Sequence, residues 1–168
     1  SEYGFQSFPN TATLNIENVE PSELTLDHPT LKWRQKSYIG NEQIFVHLDQ
    51  YYPMHSNYEE FAYLSQLAQA KAMEIAITSH RMAKGHCMGS LYWQLNDVWA
   101  GPSWSTLDAT LKWKAAHYRV RHAFAPMAVM VTEGEGIVTA AIVADGPHEF
   151  KGNVRIQVRK LNGDTIQN

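Results

Sequence analysis

The chain has 168 residues, a hydrophobic fraction of 44%, a charged fraction of 18% and a formal net charge of −3. That balance suits a folded chain with a sizeable core, excludes a low-complexity disordered one and leaves no electrostatic footprint for a nucleic-acid partner. The apolar runs are too short to span a bilayer, so no membrane partner is expected, and a single cysteine, Cys87, excludes an intrachain disulfide framework while leaving the compartment open.

From the N-terminus, SEYGFQS reads as the end of a strand, and Pro9, Asn10, Asn15, Asn18 and Pro21 then mark a loop to residue 23. Residues 24–55 also read as irregular, with His28-Pro29, Gly40-Asn41 and Tyr52-Pro53 as breakers; a loop of that length inside a domain is usually functional. At Ser56 the pattern changes. Ser56-Asn57-Tyr58-Glu59 is a capping box, with the serine hydroxyl accepting from the Glu59 amide. Phe61, Leu64, Leu67, Ala68, Ala72, Ile75 and Met82 then recur at helical spacing, and Lys84-Gly85 ends the run, which predicts a helix over 56–83.

Residues 87–95, CMGSLYWQL, are a short apolar run bounded by Gly85 and Asn96, the pattern of a buried parallel strand. A loop over 96–106 contains Gly101-Pro102. A second helix is expected over 111–125, with Trp113, Ala116, Val120 and Phe124 on one face and Pro126 beyond its end. After Pro126 the period becomes two, and strands are expected over 127–132, 137–144 and 154–160, with Asn162-Gly163 as a hairpin signal. The order strand end, long loop, helix, strand, loop, helix is that of the last two β/α units of a larger parallel α/β structure. Two such units cannot bury both faces of a parallel sheet, so an upstream part of the same protein is an expected partner.

Four of the five tryptophans, Trp93, Trp99, Trp104 and Trp113, crowd into this second unit beside Asn96 and Asp97. Aromatics next to amide and carboxylate groups have the composition of a sugar-binding cleft, although large aromatics equally fill cores. Glu2 ends a predicted strand, where (β/α)8 enzymes carry catalytic groups; a solvated terminal glutamate is the alternative. A retaining glycosidase needs two carboxyl groups about 5–5.5 Å apart, one as nucleophile and one as acid/base. Trp93 begins the corresponding stretch one β/α unit later, hence on the same rim, unless it fills the core and Asp97 serves a turn. The eight histidines include no pair four apart and no HExxH, and His117 and His122 fall nearly opposite on their helix, so no metal site is expected. Cys87 reads as a small buried hydrophobe.

SEYGFQSFP, then MGSLYWQLNDVWAGPSWSTLD, then LKWKAAHY together resemble the β-mannosidases of glycoside hydrolase family two, over most of residues 1–126. The resemblance implies an α/β fold in which residues 1–126 are the C-terminal part of a (β/α)8 TIM barrel and residues 127–168 begin an immunoglobulin-like β-sandwich. It implies part of a retaining exo-β-mannosidase that hydrolyses terminal non-reducing β-D-mannose residues without a cofactor. Glu2 matches the nucleophile that forms the covalent mannosyl-enzyme, and Trp93 matches an aromatic lining the subsite of the terminal mannose. Asn96 and Asp97 match polar positions with a substrate-side or bracing role, and Trp99 and Trp104 match the family's aromatic loop, Trp99 counted with the substrate-binding residues. The family's acid/base, an Asn-Glu pair on the fourth strand, has no counterpart in these residues, so the chain alone is expected to be inactive. Its expected partners are the upstream part of the enzyme and a β-mannoside oligosaccharide or glycoconjugate. A β-glucuronidase or β-galactosidase of the same family, whose eighth-strand text differs, and a non-catalytic carbohydrate-binding fragment are the alternatives.

Overall fold

The computed structural model describes residues 2–16, 19–20, 23–53, 57–146, 149 and 151–167, and it is a mixed helix and sheet structure. Strand β1 (Glu2–Tyr3) lies parallel to β2 (Leu91–Tyr92), with Glu2 opposite Leu91 and Tyr3 opposite Tyr92. The strand expected over 87–95 thus contracts to two residues, because a ladder extends only as far as its partner runs alongside.

Between these strands run four helices: α1 (Thr11–Leu14), α2 (Pro29–Arg34), α3 (Glu42–Asp49) and α4 (Tyr58–Met82). The first three correct the expectation of an irregular stretch. Two of its three breakers are helix starts: the His28 ring accepts from the Thr30 amide at 3.2 Å, Pro29 occupies the first turn of α2, and Asn41 precedes α3. Leu31, Ile44 and Leu48 bury themselves with Phe8, Tyr58 and Phe61 in the larger core cluster. One or two helical turns carry too few apolar positions for a period to register, so packing rather than local propensity holds them.

Helix α4 starts one residue later than a capping box at Ser56 requires: Asn57 is the cap, and its side chain accepts from the Glu60 amide at 2.9 Å. Ser56 itself lies outside the described residues. The buried stripe of α4 is not purely apolar. Ser65, Gln66 and Gln69 are buried beside Phe61, Met73 and Ile77, whereas Ile75, expected inside, is exposed. The reason lies in the segment that leaves β1, whose backbone groups have few ladder partners. Ser65 Oγ accepts from the Phe8 amide at 3.0 Å, and Gln66 Nε2 donates to the Phe8 carbonyl at 3.1 Å. Buried backbone groups must be paired, and α4 does it with side chains.

Helix α5 (Ala115–Ala123) packs Val120 and Ala123 against Met73 and Ile77 of α4, with Tyr3 and Tyr92 alongside. It is shorter than the expected 111–125. Leu111 has φ +63°, and the Asp108 carboxylate takes the amides of Thr110 and Lys112 at 3.0 and 3.1 Å, which holds this stretch as a turn. Trp113 and Phe124, expected on the buried face, are partly exposed just outside the helix. Cys87 is likewise only half-buried, with its thiol 3.3 Å from the Gly89 carbonyl, because the short β2 strand does not reach it.

Beyond α5, β3 (Met127–Gly134) and β4 (Ile137–Ala144) form an antiparallel hairpin in continuous register. Glu135 and Gly136 join them with positive φ of 52° and 76°, matching the right-handed twist of the strands. Met130 and Val143 turn inward, and Thr78 of α4 meets Met130 Sδ at 3.6 Å. The strand expected over 154–160 is ordered only as β5 (Val158–Arg159), paired with β6 (Thr165–Gln167) around Asn162-Gly163. Buried Arg81 joins α4 to the end of α5 and to the residue after β4: it donates to the carbonyls of Ala123 and Ala125 and reaches Asp145 at 3.0 Å. Among the described residues no helix is long and apolar enough to cross a membrane.

Candidate active site

The parallel pairing of β1 and β2 sets Glu2 and Trp93 on neighbouring backbones. The Trp93 amide donates to the Tyr3 carbonyl at 2.7 Å, and both the Glu2 and Trp93 side chains are exposed. The Trp93–Gln94 peptide is cis. At Gly4 the two backbones come close: a Cβ there would lie 2.5 Å from the Trp93 carbonyl oxygen and 2.8 Å from Trp104 Cδ1. No side chain fits, which is the physical need for glycine after Glu2-Tyr3. Next to Gly4 a cavity of about 170 Å³ is lined by Phe5, Gln6, Ile39, Gln43, Ile44, His47 and Trp104, a mixed aromatic, aliphatic and amide surface.

The remaining sequence candidates separate. Asp97 faces inward: one carboxylate oxygen accepts from Ser103 Oγ and, at 3.2 Å, from Ser105 Oγ, so it braces its own loop. The neighbouring Asn96 is exposed. Trp99 is not free to line a cleft with both faces. Its indole N–H donates to the Arg34 carbonyl at 2.9 Å, its ring packs 5.2 Å from Trp33, and Lys36 Nζ sits 5.1 Å from the ring centroid. Trp99 thus ties the loop to α2, an element the sequence pattern did not disclose.

Beneath the rim runs a buried polar network. Ser7 and Ser103 exchange backbone hydrogen bonds of 2.9 and 3.1 Å, and Ser7 Oγ donates to Gln69 Oε1 at 2.7 Å. Gln69 Nε2 donates to the carbonyls of Phe5, Trp104 and Ser105 at 2.8, 3.0 and 3.2 Å. Lys114, fully buried, donates from Nζ to the Ser7 carbonyl at 3.3 Å and to Ser7 Oγ at 3.1 Å. Burial pushes its amine down to about 7, with Asp97 and Asp108 pulling the other way. Burial also pushes the Asp108 carboxyl up, but hydrogen bonds from Thr13, Thr110 and Asn10 outweigh it and hold the group below its ordinary value. Among the described residues no group of three or more His, Cys, Asp or Glu is arranged to hold a metal ion.

No family model matches the chain. The β-mannosidase of Capra hircus is 30% identical over 94% of this chain, and that of Bos taurus is 34% identical over 76% of it. A crystal structure of the β-D-mannosidase from Dictyoglomus thermophilum superposes with a TM-score of 0.79 over 86% of this chain, at 30% identity. The chain is homologous to the β-mannosidases. It spans about a fifth of the length of the curated relatives it matches, 19% of the goat enzyme and 16% of the bovine one, and 18% of the D. thermophilum chain.

Within this β-mannosidase homologue, the sequence pattern alone missed Ser7, Gln69, Asp108 and Lys114. One signal was available: Lys114 stands between Trp113 and Ala115, directly before a helix whose first buried residue is Ala116, a charged side chain where the pattern turns inward. A lysine is almost never fully buried without a specific partner.

Proposed function

We propose that the chain is the end of a (β/α)8 barrel in a retaining exo-β-mannosidase of glycoside hydrolase family two, residues 1–126, followed from residue 127 by the start of an immunoglobulin-like sandwich. The single observation that carries the reading is the parallel pairing of Glu2–Tyr3 with Leu91–Tyr92, which supports a carboxylate and a tryptophan on adjacent strand ends. Glu2 is the nucleophile. One of its carboxylate oxygens attacks the anomeric carbon of a terminal β-mannose while the bond to the leaving oxygen breaks and an acid/base carboxyl protonates that oxygen. Water then attacks the mannosyl-Glu2 ester, gives its proton to the acid/base and restores Glu2. Trp93 presents an apolar platform to the sugar ring, Asn96 bonds its hydroxyls from the exposed side, and Asp97 braces the loop between Trp93 and Ser105. Trp99 serves the site through α2. The acid/base is supplied by the upstream part of the intact enzyme, and these 168 residues alone have no turnover on an aryl β-mannoside.

In the intact enzyme that carries this sequence, Glu2→Gln is expected to lower turnover by several orders of magnitude with the fold retained. A 2-deoxy-2-fluoro-mannoside is expected to label the peptide containing Glu2, and label on any other carboxylate refutes the assignment. Comparison of aryl β-mannoside, β-glucuronide and β-galactoside rates tests the sugar.

A further inference from the structure

We propose that Lys114 is a positioning residue for the reaction: its buried amine clamps the segment leaving the Glu2 strand to the loop that begins at Trp93, which rests on Glu2 being the nucleophile. Three observations converge on it. Lys114 Nζ binds both the carbonyl and the hydroxyl of Ser7, and Ser7 is in turn paired through its backbone with Ser103. Ser103 and Ser105 hold Asp97, four residues past Trp93, and Gln69 gathers the carbonyls of Phe5, Trp104 and Ser105 from the other side. The Lys114 backbone belongs to the same layer, its amide donating to the Thr106 carbonyl at 3.0 Å while the Thr106 amide donates to the Gln94 carbonyl at 3.0 Å. Lys114 thereby joins the two chain segments that carry Glu2 and Trp93, its amine holding Ser7 and its backbone amide holding Thr106.

Stability is a poor reason for such a residue. Desolvating an amine is costly, and an apolar side chain of similar length commonly holds a buried site as well or better. A methionine at 114 would fill the space, and Ser7 would keep its bonds to Ser103 and Gln69. What it could not do is fix the Ser7 peptide from the α5 side. Displacements on the order of 1 Å at a reacting group cost up to roughly 100-fold in rate, so the expected consequence is kinetic.

The test uses the intact enzyme with Lys114→Met and, as a smaller perturbation of the same contact, Ser7→Ala. Active sites are counted by stoichiometric trapping with 2-deoxy-2-fluoro-β-mannosyl fluoride, and turnover is expressed per trapped site. We expect one trapped site per chain, a thermal midpoint that is not lowered in Lys114→Met, and turnover per site reduced roughly 10- to 100-fold. Counting by trapping excludes a merely structural role, since partial unfolding lowers the number of sites and not the rate at each. Turnover per Glu2-labelled site within about twofold of wild type overturns the clamp and leaves the nucleophile assignment standing. Trapping at a different carboxylate overturns both. If Lys114→Met does not fold, Ser7→Ala decides by the same criterion.

Discussion

Exchange of Lys114 for methionine is expected to change how stability responds to pH. Burial depresses the Lys114 amine from 10.5 to about 7 in the folded chain, and Asp97 and Asp108 offset only part of that cost. In the unfolded chain the amine titrates at its ordinary value. Between those limits the unfolded chain holds a proton that the folded chain has released, so unfolding free energy rises with pH and is lost as pH falls toward 7. At 1.36 kcal/mol per unit, the whole shift is worth about 5 kcal/mol, and the part between about pH 6.5 and 9.5 about 3 kcal/mol. Lys114→Met removes the titration. The advantage of the methionine chain over wild type is therefore largest near pH 6.5 and shrinks by about 3 kcal/mol by pH 9.5. The window stays below pH 10 because burial raises the phenols of Tyr58 and Tyr3, which adds an opposite trend in more alkaline solution. Urea denaturation followed by far-ultraviolet circular dichroism at three pH values, with m compared between the chains, measures it. A difference constant to within about 1 kcal/mol refutes the reasoning, because the amine would then keep its proton and the carboxylates would fully offset its burial.

Two further outcomes rest on the packing. Arg81 is buried and serves the carbonyls of Ala123 and Ala125 as well as Asp145, which is 58% exposed. Arg81→Met should cost about 3 kcal/mol by orphaning those carbonyls, and Asp145→Ala less than about 1 kcal/mol; equal losses in urea denaturation would show that the ion pair, and not the carbonyls, is what matters. Gly4→Ala drives a methyl into the Trp93 carbonyl and the Trp104 ring. It should cost about 1–3 kcal/mol and shift tryptophan fluorescence, and an unchanged spectrum with unchanged stability contradicts the close approach.

Helix α4, the β3–β4 hairpin and the strand character around Leu91 were legible because each is written in a local pattern: a cap with helical periodicity, alternation with a tight turn, or a short apolar run. Glu2 and Trp93 stood near the ends of predicted strands, but pattern alone left a solvated glutamate and a core tryptophan as alternatives, and it was the resemblance to the family that singled them out. Helices α2 and α3 were not legible, because one or two turns hold too few apolar positions to form a period, and Leu31, Ile44 and Leu48 matter only once Phe8, Tyr58 and Phe61 are beside them.

The amino-acid sequence by itself determined helix α4, the β3–β4 hairpin and the kinship with the β-mannosidases. Tertiary structure alone decided which polar groups are inside. Ser65, Gln66, Gln69 and Lys114 read locally as surface residues, yet each is buried because distant backbone comes to rest against it and needs a partner. Local periodicity records what a segment hides from water, whereas hydrogen bonds between segments 57 to 107 residues apart depend on where the chain returns, and that is a property of the assembled fold.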